Sequence, residues 1–525
     1  MAGPAQLRRT AQTGVRRVLS TARRAVPDAV VERVRGPLVD RLLGAPPPAP
    51  GQPTFSIVIP LYESPIVHLT AQLDSIAAQT YPHFECILVD DGSPTTAAAD
   101  LADAYAERDA RFRVIRRPDN GGIAAATNDG LDAATNDWIV FSDHDDRLMP
   151  SALAAIATHI VGHPDDDVIY TDEQLVDEDG EVMFVYRKPD FSRHRFTSMN
   201  YFCHIVTMRR SLVEEIGRLD PAMEPSADRD FNLRATERAH RVGHIPDILY
   251  EWRAIDGSVA KDLGEKAGVK ESTLAGAAAH LERTGQVGTA IPAPHQPYLI
   301  RVERPPAPGG HDLVRWHRGI AFSDLDDRLR SGRAERVVFH HVDIEPGSWI
   351  DPLASLAALD GVGAAAPRLA TADGRLVSGG HIHHPAVMEI MPGLALDDPG
   401  PWGVYQVDHE VAGAEPDAIV FDRTALDAVG GFSLDELLGT DTSLDAVARS
   451  EFDGEFGIDL FVALVCTRLW QHGTPIVWSP LATIEVDDDR LHWGRNLRRR
   501  AASRRLGASL PDLLLDPYSP IEIRR

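Results

Sequence analysis

Cysteine and lysine are scarce in this chain of 525 residues, which holds three of the former (Cys86, Cys203, Cys466) and four of the latter (Lys188, Lys261, Lys266, Lys270). The cysteines lie far apart and form neither a metal-ligand spacing nor a disulfide framework, which suits a reducing compartment. Apolar runs are short. None approaches the roughly 18 residues a membrane span needs, and the N-terminus lacks the apolar core of a secretory signal. We therefore expect a cytoplasmic protein. Positive charge is also in deficit, with 53 Lys and Arg against 78 Asp and Glu and a net charge of −25. Phosphate contacts require a concentrated positive surface, so no nucleic-acid partner is expected. Apolar residues are plentiful at 43%, enough at this length for roughly three domain-sized units with real cores.

The charge is unevenly spread. Residues 1–50 carry nine arginines and three acids, a balance of +6, and residues 490–510 carry seven arginines and no acid, +7, which leaves −38 on the rest. The first basic stretch reads as one or two helices over Leu7–Leu43 with arginine pairs beside a modest apolar stripe. It ends in the stiff linker Ala45-Pro-Pro-Pro-Ala-Pro-Gly-Gln-Pro53. Such ends serve either as solvated helix faces or as contacts to an anionic membrane surface, where each Lys or Arg adds about 1 kcal/mol. A peripheral contact at the inner face of the plasma membrane is thus one reading of the basic termini, and self-association into a homo-oligomer is left open.

From Phe55 strand and helix alternate. Phe55–Pro60, Phe84–Asp90, Phe112–Arg116 and Trp138–Phe141 read as strands, and Ile66–Gln79, Thr96–Ala110 and Ile123–Ala134 as helices. Alternation of this kind predicts an α/β domain with a mostly parallel, Rossmann-like sheet covered by helices, whose ligands bind beyond the carboxyl ends of the strands. Two strands end in acid clusters, at Asp90-Asp91 and at Asp143-His144-Asp145-Asp146.

A weak internal repeat follows. Trp138–Asp146 is echoed by Arg336–Ile344, Ile205–Gly217 by Ile419–Gly431, and the stretch from Asp230 to Trp252 by that from Asp459 to Val486. Three matches in one order imply a truncated second copy, with no counterpart to most of residues 55–137. The organisation expected is a basic segment and linker (1–50), a first domain (54–260), a connecting segment (261–329), a degenerate second domain (330–489) and a basic tail (490–525).

Asp143-x-Asp145 after an apolar strand offers two carboxylates to a hard divalent cation with positions left for phosphate oxygens, or else is an acid-rich loop. In an extended segment His144 points the other way. The histidines His340, His341, His381, His383 and His384 match no familiar metal spacing and read rather as loop residues.

Taken together, Phe55-Ser-Ile-Val-Ile-Pro60, Val89-Asp-Asp-Gly-Ser93, Asn120-Gly-Gly-Ile-Ala-Ala-Ala-Thr-Asn128, Phe141-Ser-Asp-His-Asp-Asp146 and Ser226-Ala-Asp-Arg-Asp-Phe-Asn-Leu233 resemble the ordered motifs of family 2 glycosyltransferases of the GT-A fold. The connecting Tyr170-Thr-Asp-Glu173, Lys188-Pro-Asp-Phe-Ser192 and Asn200-Tyr201 are similar to the branch found in bacterial cell-surface polysaccharide and O-antigen assembly. The resemblance spans about residues 54–260. It implies a GT-A catalytic domain followed by a degenerate GT-A-like one. It also implies an inverting transfer of sugar from a nucleoside-diphosphate sugar to a saccharide or lipid-linked acceptor, dependent on Mg²⁺ or Mn²⁺.

On that resemblance Pro60, Tyr62, Glu63 and Asp91 face the nucleoside, Asn120, Gly122 and Asn128 the diphosphate or sugar at a helix start, and Asp143 and Asp145 the metal, with Asp143 touching the nucleotide too. Asp91 has a plain alternative as the cap of its own turn. Asp228 matches the base that takes the acceptor's proton, with Asp230 as its rival. A histidine that several members carry before Trp252-Arg253 is replaced by Glu251, and Arg253 faces either the leaving diphosphate or a surface ion pair. In the second copy Asp143, Asp145 and Asp228 become His341, Asp343 and Gly457, so that copy is expected not to catalyse. A non-catalytic nucleotide-binding scaffold is the alternative for the whole chain. A sugar-1-phosphate nucleotidyltransferase is disfavoured, since Leu61-Tyr62-Glu63-Ser64 stands where a Gly-rich loop is needed.

Overall fold

A computed structural model of the chain describes residues 48–254, 268–294, 296, 298–383, 388–389, 392–438, 451–487, 498–504 and 506. Nearly all of the basic segment 1–50, most of the tail from 490, and His384 lie outside them. The described residues divide into two compact units: residues up to 188 with 202–254, and residues 189–201 with those from 268 onward.

In the first unit the predicted alternation is present as β1 (Phe55–Leu61), α1 (Ile66–Ala77), β2 (Phe84–Asp90), α2 (Ala97–Arg108), β3 (Phe112–Arg116), α3 (Ile123–Ala133) and β4 (Trp138–Phe141). There follow β5 (Arg147–Leu148), α4 (Ala152–Gly162), β6 (Asp166–Val176), β7 (Val182–Tyr186), α5 (Arg193–Ser198), β8 (Val206–Arg209), α6 (Arg210–Ile216), α7 (Ala227–Arg238) and β9 (Arg241–Arg253). Helix α5 clusters with the second unit. Nine strands form one sheet in the order β3-β2-β1-β4-β8-β6-β9-β5, with β7 on β6.

Strands β3, β2, β1 and β4 run parallel, β8 is antiparallel to both β4 and β6, and β6 runs parallel to β9. Almost every residue of β1 and β2 is buried, as strands covered on both faces must be. Phe55, Ile57 and Ile59 pack on Leu69, Leu73 and Ile76 of α1. On the other face α3 comes so close that a Cβ at Gly130 would strike Val58, which is why glycine stands there. This parallel half delivers Pro60–Glu63, Asp90–Asp91 and Asp143–Asp146 to one edge, beyond the carboxyl ends of β1, β2 and β4.

The second unit contains α8 (Val269–Arg283), the hairpin β10 (Thr289–Pro292) and β11 (Ile300–Glu303), β12 (His311–Trp316), α9 (Phe322–Ser331), β13 (Arg336–His341), α10 (Ile350–Ala357), β14 (Ala364–Ala370) and β15 (Leu376–Ser378). The two-residue strands β16 (His381–Ile382) and β17 (Met388–Glu389), then β18 (His409–Val411), β19 (Ala418–Asp422), α11 (Arg423–Ala428), α12 (Leu434–Leu438), α13 (Gly457–Gln471) and β20 (Ile476–Glu485) complete it. Its main sheet has the order β12-β13-β19-β14-β20-β18, with β15 on β14.

That order repeats β1-β4-β8-β6-β9-β5 with β7 on β6 in space and in strand direction, although β18 follows β14 in the chain whereas β5 precedes β6. β12 is parallel to β13, β19 antiparallel to β13 and β14, β14 parallel to β20, and β18 and β15 antiparallel to β20 and β14. The sequence echoes are thus a repeat of sheet topology. Three strands were not foreseen: β10, β11 and β12 lie within the stretch 261–329 that reads as a connector, and β12 takes the place of β1 in the sheet order. Among the described residues β2 and β3 have no counterparts, and β12 is the sheet edge.

Part of the C-terminal basic run is structural. Arg499 is 1% exposed, binds Glu415 at 3.0 Å and lies 3.5 Å from Asp459, while Arg498 pairs with Glu455 at 3.2 Å. Arg499 is thus spent inside the unit and adds nothing to a charged face, whereas Arg498 stays exposed. Among the described residues no helix is long and apolar enough to cross a membrane.

Candidate active site

The loop after β4 is held from three sides. From α1, the buried Gln72 donates to Ser142 Oγ at 2.7 Å and to the Asp143 carbonyl at 2.8 Å. From β9, the Tyr250 hydroxyl accepts from Asp143 N at 3.1 Å and donates to Asp146 Oδ2 at 2.7 Å. Arg253 donates its backbone N–H to Asp146 Oδ1 at 2.8 Å and its guanidinium to the carbonyls of Asp145, Asp177 and Glu178. Arg253 therefore clamps backbone, rather than facing a diphosphate or a surface partner. Glu251 is likewise occupied, by Arg147 at 2.6 Å and Gln174 at 2.8 Å.

The chain bends at His144 and Asp145, which breaks the alternation that would place Asp143 and Asp145 side by side. As a result Asp143 is grouped with Asp146 and with His204, and the ligand atoms of these three lie within 4.8 Å of one another. Asp145, expected beside Asp143 as a metal ligand, does not join that group. A carboxylate and an imidazole at this spacing, with Asp146 hydrogen-bonded behind them, suit a divalent first-row ion. Burial, reinforced by the charges of Asp145 and Asp143, raises the Asp146 carboxyl above its ordinary range, and burial lowers the His204 imidazole below its own. Sequence reasoning missed both residues, although Asp146 stands in the same acidic run and His204 shortly follows the Asn200-Tyr201 motif.

Asp228 opens α7 and reaches solvent. The protein packed behind it withholds water and raises its carboxyl, Asp143 adds to the rise, and the charge of His204 opposes it. The charges of Asp228 and Asp145 act in turn on His204, so the start of α7 lies within electrostatic reach of the strand-end acids. The rival Asp230 is buried and paired with Arg234 at 2.9 Å, and Arg234 in turn holds the carbonyls of Ile216 and Arg218. It serves structure.

The nucleotide side differs from expectation. Asp91 is buried; its oxygens accept from Gly121 N at 3.0 Å and Gly122 N at 2.9 Å, and Arg117 lies 3.1 Å away. It caps the loop before α3, not its own turn. Glu224 accepts from Ala124 N at 2.8 Å, so the N-terminus of α3, where a phosphate or sugar was anticipated next to Asn120 and Gly122, already holds carboxylates. Asn128 uses both ends of its amide on the backbone of Leu219, at 2.9 Å each, which makes it a tether. The turn after β1 is fastened to the turn after β2, through Glu63 N to Ser93 Oγ at 3.2 Å and Asp91 N to the Leu61 carbonyl at 2.8 Å. Tyr62 is exposed beside Pro60 at the end of β1. Asp90 Oδ1 is buried without a hydrogen-bond partner among the described residues.

In the second unit the corresponding place lacks the machinery. His341 stands edge-on to Trp316 and 3.3 Å from Asp343, and a Cβ at Gly457 would run into the Phe452 carbonyl, so no side chain fits where Asp228 would stand. His381 pairs with Glu415 and His383 with Thr467. Among the described residues these histidines do not gather three ligand atoms around a point.

Comparison with known proteins gives consistent matches. The family described as Glycosyl transferase family 2 matches residues 56–217. A protein of Sinorhizobium fredii, itself described as uncharacterized, is 27% identical over 505 residues, 82% of this chain and 53% of its own length. The O-antigen biosynthesis protein RfbC of Myxococcus xanthus is 34% identical over 284 residues, 53% of this chain and 22% of its own. A PGL/p-HBAD biosynthesis glycosyltransferase of Mycobacterium bovis is 34% identical over 184 residues, 35% of this chain and 69% of its own. The chain thus spans 53% of the first relative and 22% of the second.

Proposed function

Because the chain belongs to glycosyltransferase family 2, we propose that it transfers a sugar, with inversion, from a nucleoside-diphosphate sugar to a saccharide or lipid-linked acceptor of a cell-surface polysaccharide or glycolipid. The observation that carries this reading is Asp228: an acid at a solvent-open helix start, with a raised carboxyl, in the electrostatic neighbourhood of Asp143 and His204. An acceptor hydroxyl needs a base as it attacks the anomeric carbon, and a carboxylate of raised basicity suits that task. Asp228 takes the hydroxyl proton, the new glycosidic bond forms, and the nucleoside diphosphate leaves from the opposite face.

A divalent cation bound at Asp143 would offset the charge of the departing diphosphate. The orphaned Asp90 oxygen and the Pro60–Glu63 turn supply the nucleoside contacts, while Asp91 holds the loop that frames them. The relatives' roles in O-antigen and PGL/p-HBAD biosynthesis support a cell-surface product. The second unit, with no base position, serves docking or packing.

Slow donor hydrolysis in the presence of Mn²⁺, measured over a panel of nucleotide sugars and abolished by EDTA, is the expected signature of a transferase. Donor binding with no hydrolysis and no transfer under any condition would instead indicate a scaffold.

A further inference from the structure

The turn that carries His204 is fastened by buried charged groups. Lys188, with no side-chain exposure, donates to the carbonyls of Phe202 and His204 at 2.5 and 2.7 Å and pairs with Glu173 at 3.2 Å. Glu173 in turn accepts from His204 N at 2.9 Å. A buried ion pair is costly to maintain, and this one holds the backbone from which the His204 ring projects. The ring is stacked on Tyr250, with centroids 4.8 Å apart, and meets Trp252 edge-on at 5.6 Å. Tyr250 is the residue that also holds Asp143 and Asp146, so ring and acids are set by one side chain.

His204 Nε2 lies 3.6 Å from Asp143 Oδ2. That is too long for a hydrogen bond, yet it falls within the separation of about 3.0–3.6 Å between two ligands of one ion at metal–ligand distances of about 2.1 Å. Asp146 is engaged behind them, one oxygen on Tyr250 and the other on Arg253 N, and so braces the loop.

We propose that His204 supplies an imidazole ligand to the cation held by Asp143, and that this donor makes the site prefer a first-row transition ion such as Mn²⁺ to Mg²⁺. The inference rests on the transferase reading for the presence of a cation and adds to it a ligand and a selectivity. Mg²⁺ takes oxygen ligands and gives up water reluctantly, whereas imidazole suits the transition series. Lys188 and Glu173 are positioning residues for that ligand.

The test uses the full chain with Mn²⁺ alone. Electron spin-echo modulation of the bound ion should show the ¹⁴N signature of a coordinated imidazole. In His204→Ala that signature should vanish and Mn²⁺ affinity, measured by titration, should fall about tenfold or more, with Mg²⁺ affinity moving much less. Bound Mn²⁺ without ¹⁴N modulation in the wild type overturns the inference even if the variant fails to fold, and so does a folded His204→Ala that keeps the modulation. Asp143→Asn separates the two levels. If the wild type binds Mn²⁺ without nitrogen and Asp143→Asn abolishes binding, only the imidazole ligand falls. If the wild type takes up no Mn²⁺ at all, the metal-dependent form of the transferase reading falls with it.

Discussion

Glu224 accepts a hydrogen bond from Ala124 N at 2.8 Å although the two residues are 100 positions apart in the chain. Its carboxylate also lies where a Cβ on Gly122 would be, 2.6 Å from Oε1. The N-terminus of α3 is thereby capped from a distant loop, and the positive φ of 90° at Gly122 makes room for the cap. Glu224→Ala should lower stability by about 0.5–2 kcal/mol, as loss of a helix cap does. Glu224→Gln, which keeps an acceptor oxygen, should recover much of this. Denaturant melts of the two variants decide it, and an Ala variant as stable as the wild type rejects the cap.

Asp228→Asn should lower the transfer rate about a hundred- to ten-thousand-fold, the range of a general base, while donor affinity changes little. Calorimetric donor titration beside steady-state rates separates the two effects. A variant with wild-type turnover removes Asp228 from the base role.

The acid limb of the wild-type pH–rate profile follows from the same residue. A base works in its deprotonated form, and the Asp228 carboxyl is raised by surrounding protein and by Asp143. Activity should therefore fall with decreasing pH at values above the usual carboxylate range. A limb at or below that range contradicts the placement.

In the second unit, Glu410 of β18 accepts from His194 N at 3.0 Å and from the Ser192 hydroxyl, capping α5. Burial pushes its carboxyl from 4.5 up to about 7, against the pull of those backbone donors. The folded state thus binds a proton more tightly than the unfolded chain does. The associated stability is fully present below pH 4.5 and is lost as pH rises towards 7. Glu410→Gln should flatten this part of the stability–pH curve; an unaltered slope in the variant would assign it to other groups.

Arg499→Met takes the buried guanidinium away from Glu415 and Asp459, leaving Glu415 to His381. Loss of one partner from such a network costs about 3–5 kcal/mol, and thermal unfolding of the second unit should register it. A change within experimental error would mean that the arginine is solvated after all.

Several candidate residues could be named from the sequence because their chemistry is local. An acid-ended apolar strand announces Asp143, and Asp228 follows from its motif at a helix start. His204 was not legible, since only the packing of β8 and β9 brings its ring onto Tyr250 and its Nε2 beside Asp143. Asn128 and Asp91 were readable as polar groups near strand ends, but which backbone they would bind depended on where the loops around Leu219 and Gly121 came to rest. Arg499 looked like solvated charge because a one-dimensional run of arginines carries no sign of burial.

The amino-acid sequence by itself determined the alternation of strands and helices, the family, the acids at the strand ends and the existence of a second, eroded copy. These depend on short-range periodicity and on motifs a few residues long. Tertiary structure alone decided that Asp143 is grouped with Asp146 and His204 and not with Asp145, that Glu224 fills the start of α3, that β12 takes the place of β1, and that Gly457 has no room for a base. Each of these is a contact between segments distant in the chain, set by how the sheet orders its strands and by which backbone donors remain to be satisfied once it has done so.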